Sequence, residues 1–103
     1  MSEDRDFLNE LIEERTARNP EFPALVAAAE RRRELIRELA RARKAQDLSQ
    51  TAVAAAMHTS QSALARLENS AADTKLSTVE RYAAALGFQV EYRLVPAPGP
   101  VAR

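Results

Sequence analysis

The sequence predicts an all-α protein of five helices that ends in one short β-strand. The composition is rich in alanine, leucine, arginine and glutamate and contains only two glycines, which favours helix. Apolar residues recur at helical spacing in five segments, and prolines, glycines or serine caps separate these segments. With 103 residues, the chain is long enough for one compact domain with short extensions.

The first two predicted helices fill the N-terminal half of the chain. The first covers residues 6–18 and ends before Pro20, because the residue preceding a proline is driven out of the α region. Pro23 suits the first turn of a long second helix over 23–45, where its missing N–H has no consequence. One face of the first helix is apolar; its members are Phe7, Leu8, Leu11 and Ile12.

Two short helices follow, and each is preceded by a serine. Ser49 is predicted to cap a helix over 50–57, and Ser60 is predicted to cap the next one. His58 and Thr59 form the tight turn between them. Residues 69–75 are predicted to be a loop.

The last helix and the strand complete the prediction. Ser77 is the expected cap of the helix, and Gly87 is its expected end. Over 88–95 apolar and polar residues alternate, as in a half-buried strand. We expect this strand to mediate dimerisation, although the apolar face of the first helix is an alternative. The residues expected at the strand interface are Phe88, Val90, Tyr92 and Leu94.

These elements divide the chain into four segments. They are an acidic helical extension (1–22), a helix-turn-helix domain (23–87), the dimerisation strand (88–95) and a disordered, proline-rich tail (96–103).

Charge is distributed unevenly, although the net charge is zero. Residues 1–30 hold three arginines against eight acidic residues, whereas residues 31–48 hold seven basic residues against three acidic ones. Such asymmetry offers different surfaces to different partners. The basic run either faces a polyanion or simply solvates a long helix.

The composition leaves little for an enzyme. There is no cysteine, which excludes disulfides, thiolate catalysis and cysteine-ligated metals. His58 is the single histidine, and we interpret it as a turn residue rather than a ligand or a base. No acidic pair and no phosphate-binding glycine loop is recognisable. We therefore expect no catalysis, no cofactor and no metal; without a membrane-spanning segment or a signal peptide, we expect a cytoplasmic protein.

The segment from Leu48 to Asn69 carries the functional prediction. Two short capped helices joined by a tight turn let the second helix enter a DNA major groove, which is about 12 Å wide. A glutamine can read adenine and an arginine can read guanine there. Gln50, at the start of the first helix of the pair, is expected near a phosphate. The outward residues of the second helix are Gln61, Ser62, Ala65 and Arg66.

Five fragments in order resemble the Xre/Cro family of helix-turn-helix domains, the lambda-repressor-like fold, over residues 35–88. The fragments are Arg43-Lys44-Ala45, Leu48-Ser49-Gln50, Ser60-Gln61-Ser62, Arg66-Leu67-Glu68-Asn69 and Ala83-Ala84-Ala85-Leu86-Gly87. The resemblance implies a sequence-specific DNA-binding transcription regulator.

The resemblance also implies individual roles. Gln61, Ser62 and Arg66 would face bases, with Thr59 and Ser60 near phosphate. Gln50 would hold the backbone at the start of its helix. Arg43 and Glu68 would form a buried structural ion pair. His58 departs from the usual turn glycine, and alanine replaces common charged residues at three positions, which predicts weaker nonspecific binding to DNA. Those positions are Ala52, Ala55 and Ala65.

The overall layout resembles HigA-type antitoxins, which implies an antitoxin that represses its own operon. We expect a homodimer that reads a palindromic operator, because a single small reading helix gives marginal affinity. A small basic toxin is then a further partner, matched by the acidic N-terminal segment. Two alternatives remain open: a stand-alone Xre-family repressor without a toxin, and an interaction module that has lost DNA binding.

Overall fold

The computed structural model describes residues 2–69 and 74–101, with side chains from residue 6 onward. Within these ranges the chain forms five α-helices, which confirms the all-α prediction. They are α1 (Ser2–Arg18), α2 (Phe22–Ala45), α3 (Gln50–Ala56), α4 (Gln61–Asn69) and α5 (Leu76–Ala85). The chain divides into two compact units: a core unit, residues 29–93, and a terminal unit, residues 1–28 with 94–103.

The hydrophobic core of the core unit is built by four helices. In α2, Ile36, Leu39 and Arg43 recur at helical spacing and are all buried. α3 packs against α4 and against α5. The side chains with less than 2% exposure and the largest volume are Tyr82, Ile36, Leu64 and Val79. These residues fix the position of α4, the helix predicted to read DNA.

Three helices of the core unit end in the same way, with one residue in the left-handed region. These residues are Asp47 (φ 56°), His58 (φ 57°) and Gly87 (φ 84°). In each case the next residue donates its N–H to a carbonyl five positions earlier, which satisfies the helix end. The bonds are Leu48 to Arg43 (3.1 Å), Thr59 to Ala54 (2.9 Å) and Phe88 to Ala83 (2.8 Å). His58 therefore takes the conformation that a turn glycine would take, and Asp47 does the same without a signal recognised in the sequence.

The serine caps were predicted correctly at two helices and wrongly at the third. The Ser49 hydroxyl accepts a hydrogen bond from the N–H of Ala52 (3.0 Å), and the Ser60 hydroxyl accepts one from Ala63 (3.1 Å). α5, however, begins at Leu76, with the extended Lys75 as N-cap and no side-chain bond there. Ser77 is already helical, so it cannot cap. Asn69, placed in the loop 69–75 by the sequence, belongs to α4, and residues 70–73 lie outside the described residues.

The predicted C-terminal strand is not present. Residues 88–95 adopt no regular secondary structure, and among the described residues there is no β-strand for them to pair with. Alternation of side chains predicts an extended segment, but a strand also needs a neighbour whose backbone completes the hydrogen bonds. Val90 is half-buried against the core, whereas Phe88 and Tyr92 are 52% and 57% exposed.

The terminal unit has a different character. α1 begins at Ser2, earlier than the predicted residue 6. Its apolar face is only partly covered, because Phe7 and Leu8 remain 64% and 54% exposed. The Arg15 guanidinium lies 5.8 Å from the centre of the Phe22 ring. Among the described helices, none is long and apolar enough to cross a membrane.

Candidate nucleic-acid interface

The residues predicted to contact DNA lie on α4 and on the turn before it. Gln61, Ser62 and Arg66 are exposed, and Ala65 between them is half-buried. Their spacing places all four on one side of the helix. Thr59 and Ser60 are exposed in the preceding turn.

Two hydroxyl groups mark the N-terminus of α4. Ser60 Oγ and Ser62 Oγ lie 3.3 Å apart, next to the first backbone N–H groups of the helix. Hydroxyls and free N–H groups at a helix start are suited to phosphate oxygens. The geometry therefore places donors suited to phosphate beside the side chains that are predicted to read bases.

Gln61 is held by Gln50, the first residue of α3. Its Nε2 donates to Gln50 Oε1 at 2.6 Å, and Gln50 Nε2 donates to Glu68 Oε1 at 2.8 Å. Gln50 was predicted to point its amide at a phosphate. In the structure both ends of that amide are instead engaged with α4, one at the start of the helix and one at its end.

Glu68 is the centre of a buried polar cluster. Its carboxylate accepts two hydrogen bonds from Arg43, from Nε (2.9 Å) and from Nη2 (3.1 Å), and the side chains are only 8% and 9% exposed. The hydroxyl of Tyr82, which is fully buried, also donates to Glu68. Arg43 Nη1 donates to the Leu48 carbonyl at 2.8 Å. The cluster thus joins α2, α4 and α5, and Gln50 extends it to α3.

The pKa values in this cluster follow from its contacts. Burial raises the pKa of Glu68, but the hydrogen bonds from Arg43, Tyr82 and Gln50 together outweigh burial and hold it below its ordinary value of 4.5. The bond to Glu68 raises the pKa of Arg43. Burial, followed by the bond to Glu68, raises the pKa of Tyr82. At neutral pH the cluster is therefore a carboxylate held by one cation and two neutral donors.

This charge state fixes the orientation of the Gln61 amide. A carboxylate only accepts hydrogen bonds, so Gln50 must turn its NH₂ toward Glu68 and its carbonyl toward Gln61. That carbonyl in turn requires the NH₂ of Gln61. The carbonyl oxygen and the second N–H of Gln61 remain available, which is the acceptor and donor pair that matches an adenine edge.

Comparison with known proteins agrees with this geometry. The profile of the helix-turn-helix family matches residues 39–92, more than half of the chain. The chain belongs to the helix-turn-helix family. The match supports the Xre/Cro resemblance and a DNA-binding transcription regulator. No curated protein and no solved structure matches the chain significantly.

Three contacts of the helix-turn-helix unit were not predicted from the sequence. They are the bond of the Tyr82 hydroxyl to Glu68 and the bonds of Gln50 with Glu68 and with Gln61. A hydroxyl at a buried helix position was the available signal for Tyr82, since buried hydroxyls find partners.

Three arginines of the basic run on α2 pair with acids on the same helix. Arg33 pairs with Glu30 (2.7 Å), and Glu34 pairs with Arg37 (2.9 Å) and Arg41 (3.5 Å). Arg66 on α4 is different, because it is exposed and makes no ion pair with any described residue, Glu68 and Glu80 included. No cluster of described His, Asp or Glu residues could hold a metal ion.

Proposed function

We propose that this helix-turn-helix protein is a repressor that binds a palindromic operator as a homodimer, with α4 of each subunit in the major groove. The observation that carries the proposal is the orientation of Gln61. Its amide is fixed through Gln50 and Glu68, which leaves one donor and the acceptor of Gln61 uncommitted. They belong to the side of the helix that also carries Ser62 and Arg66, and Arg66 pairs with no described acid. A side chain fixed before binding loses little entropy on contact.

The affinity for DNA expected of a single subunit is the argument for a dimer. One short reading helix, whose single cation Arg66 pairs with no described residue, makes few phosphate contacts. Phosphate contacts supply much of the affinity for DNA. Two reading helices separated by one helical turn of DNA, about 34 Å, double the contact and require a palindrome.

The test is fluorescence anisotropy on duplexes selected by the protein from a randomised pool, over a series of salt concentrations. We expect Gln61→Ala and Arg66→Ala each to cost about 1–3 kcal/mol at the selected site and little on random duplex. Arg18→Ala is the control, since that arginine is exposed and lies in α1, outside both α4 and the segment 88–95. If wild type selects no sequence and binds no duplex at low salt, DNA reading is excluded and an interaction module takes its place.

We propose further that the protein acts by binding rather than by catalysis and that it is the antitoxin of a toxin–antitoxin pair. The terminal unit supports this: it holds seven acidic residues against four basic ones, and α1 exposes Phe7 and Leu8 among them. At positions i, i+3 and i+7, Phe7 shares a face with Glu10 and Glu14. Such an acidic and apolar surface fits a small basic protein.

The toxin part has a separate test. The gene product of any small basic reading frame beside this gene is mixed with the protein and binding is measured by calorimetry. We expect Phe7→Ser with Leu8→Ser to weaken that complex and to leave operator affinity unchanged. Without a binding neighbour, the protein is a stand-alone repressor.

A further inference from the structure

The segment 88–95 presents a surface that its own chain does not complete. It adopts no regular secondary structure, and its backbone has no neighbouring strand among the described residues. Phe88 and Tyr92 are more than half exposed, while Val90, on the same side in an extended chain, touches the core. An open cleft of about 260 Å³ separates the start of the segment from α2, with Leu35, Leu39 and Ala42 on the α2 side.

The charges of this segment are self-complementary. Two copies can form an antiparallel pair about a two-fold axis. Each residue then faces the residue of the second copy that lies equally many positions from the axis in the opposite direction. With the axis at Tyr92, Glu91 faces Arg93 of the second copy, and Arg93 faces Glu91. The same register places Val90 opposite Leu94 and Tyr92 opposite its own mate.

Neighbouring registers are unfavourable. An axis at Glu91 places two glutamates opposite each other, and an axis at Arg93 places two arginines opposite each other; like charges directly opposite are destabilising. An axis between residues sets an apolar side chain against a charged one, because opposite residues share a face. The axis at Tyr92 keeps the apolar and the charged faces separate and pairs both charges.

We propose that the segment 88–95 pairs with the same segment of a second copy of this chain, antiparallel and centred on Tyr92, to form the dimer interface. The inference rests on the proposed dimeric function and assigns its surface and register. A two-stranded ribbon alone is marginal in water, but here the apolar face can cover the cleft beside α2. The partner subunit's Leu94 then lies next to Val90, at the edge of that cleft.

A charge exchange tests the register. Sedimentation velocity over a concentration series gives the dimer Kd for wild type, Glu91→Arg, Arg93→Glu and the double variant. Each single change creates two like-charge contacts across the axis, so we expect Kd to rise about tenfold or more at low salt. The double variant restores opposite charges at both positions and should return to within about threefold of wild type. Arg81→Glu is the matched control, an exposed charge reversal outside the segment.

A single thiol tests the axis itself, because the chain has no cysteine. Tyr92→Cys places two sulfurs opposite each other within reach of a disulfide, so mild oxidation should cross-link the dimer quickly. Gln89→Cys places its thiols roughly 20 Å apart in this register and should not cross-link.

The outcomes separate the inference from the function on which it rests. A wild-type protein that stays monomeric overturns the interface and the dimeric repressor together. A dimer that tolerates both single charge reversals overturns the interface alone, and operator binding by that dimer keeps the proposed function. If the single variants dissociate and the double variant does not recover, the register about Tyr92 is wrong.

Discussion

The two units of the molecule differ in how much of their apolar side chains is buried. In the core unit, apolar residues from four helices lie together, and Ile36, Leu64 and Val79 are each 1% exposed. In the terminal unit the apolar residues of α1 stay largely accessible, as Phe7 and Leu8 show. The apolar residues of α1 and those of the core-unit helices both have helical spacing in the sequence. Spacing therefore identifies the apolar face of a helix but does not say whether the chain itself will cover that face.

The same contrast holds for charge. The core unit holds eleven basic and eight acidic residues, and the terminal unit four and seven. In the core unit Arg43 and Glu68 are buried in one cluster, whereas in α1 Arg18 and Glu14 form an exposed pair (3.1 Å). Removing a buried partner leaves a charge without solvent or counterion, while removing an exposed one does not.

The largest expected effect comes from the buried ion pair. Arg43→Ala should lower the free energy of unfolding by about 3–5 kcal/mol, because the Glu68 carboxylate remains buried without its cation. Urea denaturation at pH 7 measures it. Arg18→Ala, at the exposed pair of α1, is the control and should leave the midpoint nearly unchanged. Equal losses in the two variants would contradict the contrast between the units.

The next largest loss in the free energy of unfolding is expected from a change in the hydrophobic core. Leu64→Ala removes a side chain that is 1% exposed and should cost about 2–5 kcal/mol through lost burial and the cavity left behind. The same change in α1, Leu8→Ala, should stay within about 0.5 kcal/mol, since that residue is already exposed. Thermal unfolding of both variants compares them. A large loss at Leu8 would mean that the chain itself covers this face.

A smaller effect is expected from the helix caps. Ser49→Ala removes the hydroxyl that accepts the Ala52 N–H and should cost about 1 kcal/mol. Ser77→Ala is a matched control within α5, where the serine makes no cap and alanine favours helix. The difference between the two midpoints in urea tests the cap assignment. Loss of stability at Ser77 alone would reverse it.

The last prediction concerns how stability depends on pH. The Glu68 carboxylate changes its charge only in acid, so the expected difference between the variants appears only there. Because its pKa in the folded protein lies below the ordinary 4.5, its bonds stabilise the fold above that pH. Their contribution is lost as the pH falls from 4.5 through the folded-state value. Urea unfolding between pH 7 and pH 3 should therefore show a steeper decline for wild type than for Glu68→Gln, which has no carboxylate to protonate. Parallel profiles would assign the acid sensitivity to other groups.

Much of the fold was predictable from local signals. Pro20, Ser49, Ser60 and Gly87 set helix ends through their own backbone and hydroxyl chemistry, which needs no distant partner. The order of the fragments between Arg43 and Gly87 indicates the family without any knowledge of tertiary contacts. The positive φ at His58 also follows from local geometry, because a turn this short requires a left-handed residue.

What the tertiary structure decided depends on groups far apart in the chain. The hydrogen bonds of the Glu68 cluster join residues up to 25 positions apart, and they orient Gln61 through Gln50; no local pattern encodes these contacts. The strand failed as a prediction for the related reason that the described part of the chain supplies no neighbouring strand for it. The sequence by itself determined the helices, most of their ends and the residue types predicted to face DNA. Only the packed structure decided which polar groups hold one another and which surfaces stay open, because both are properties of the assembled chain.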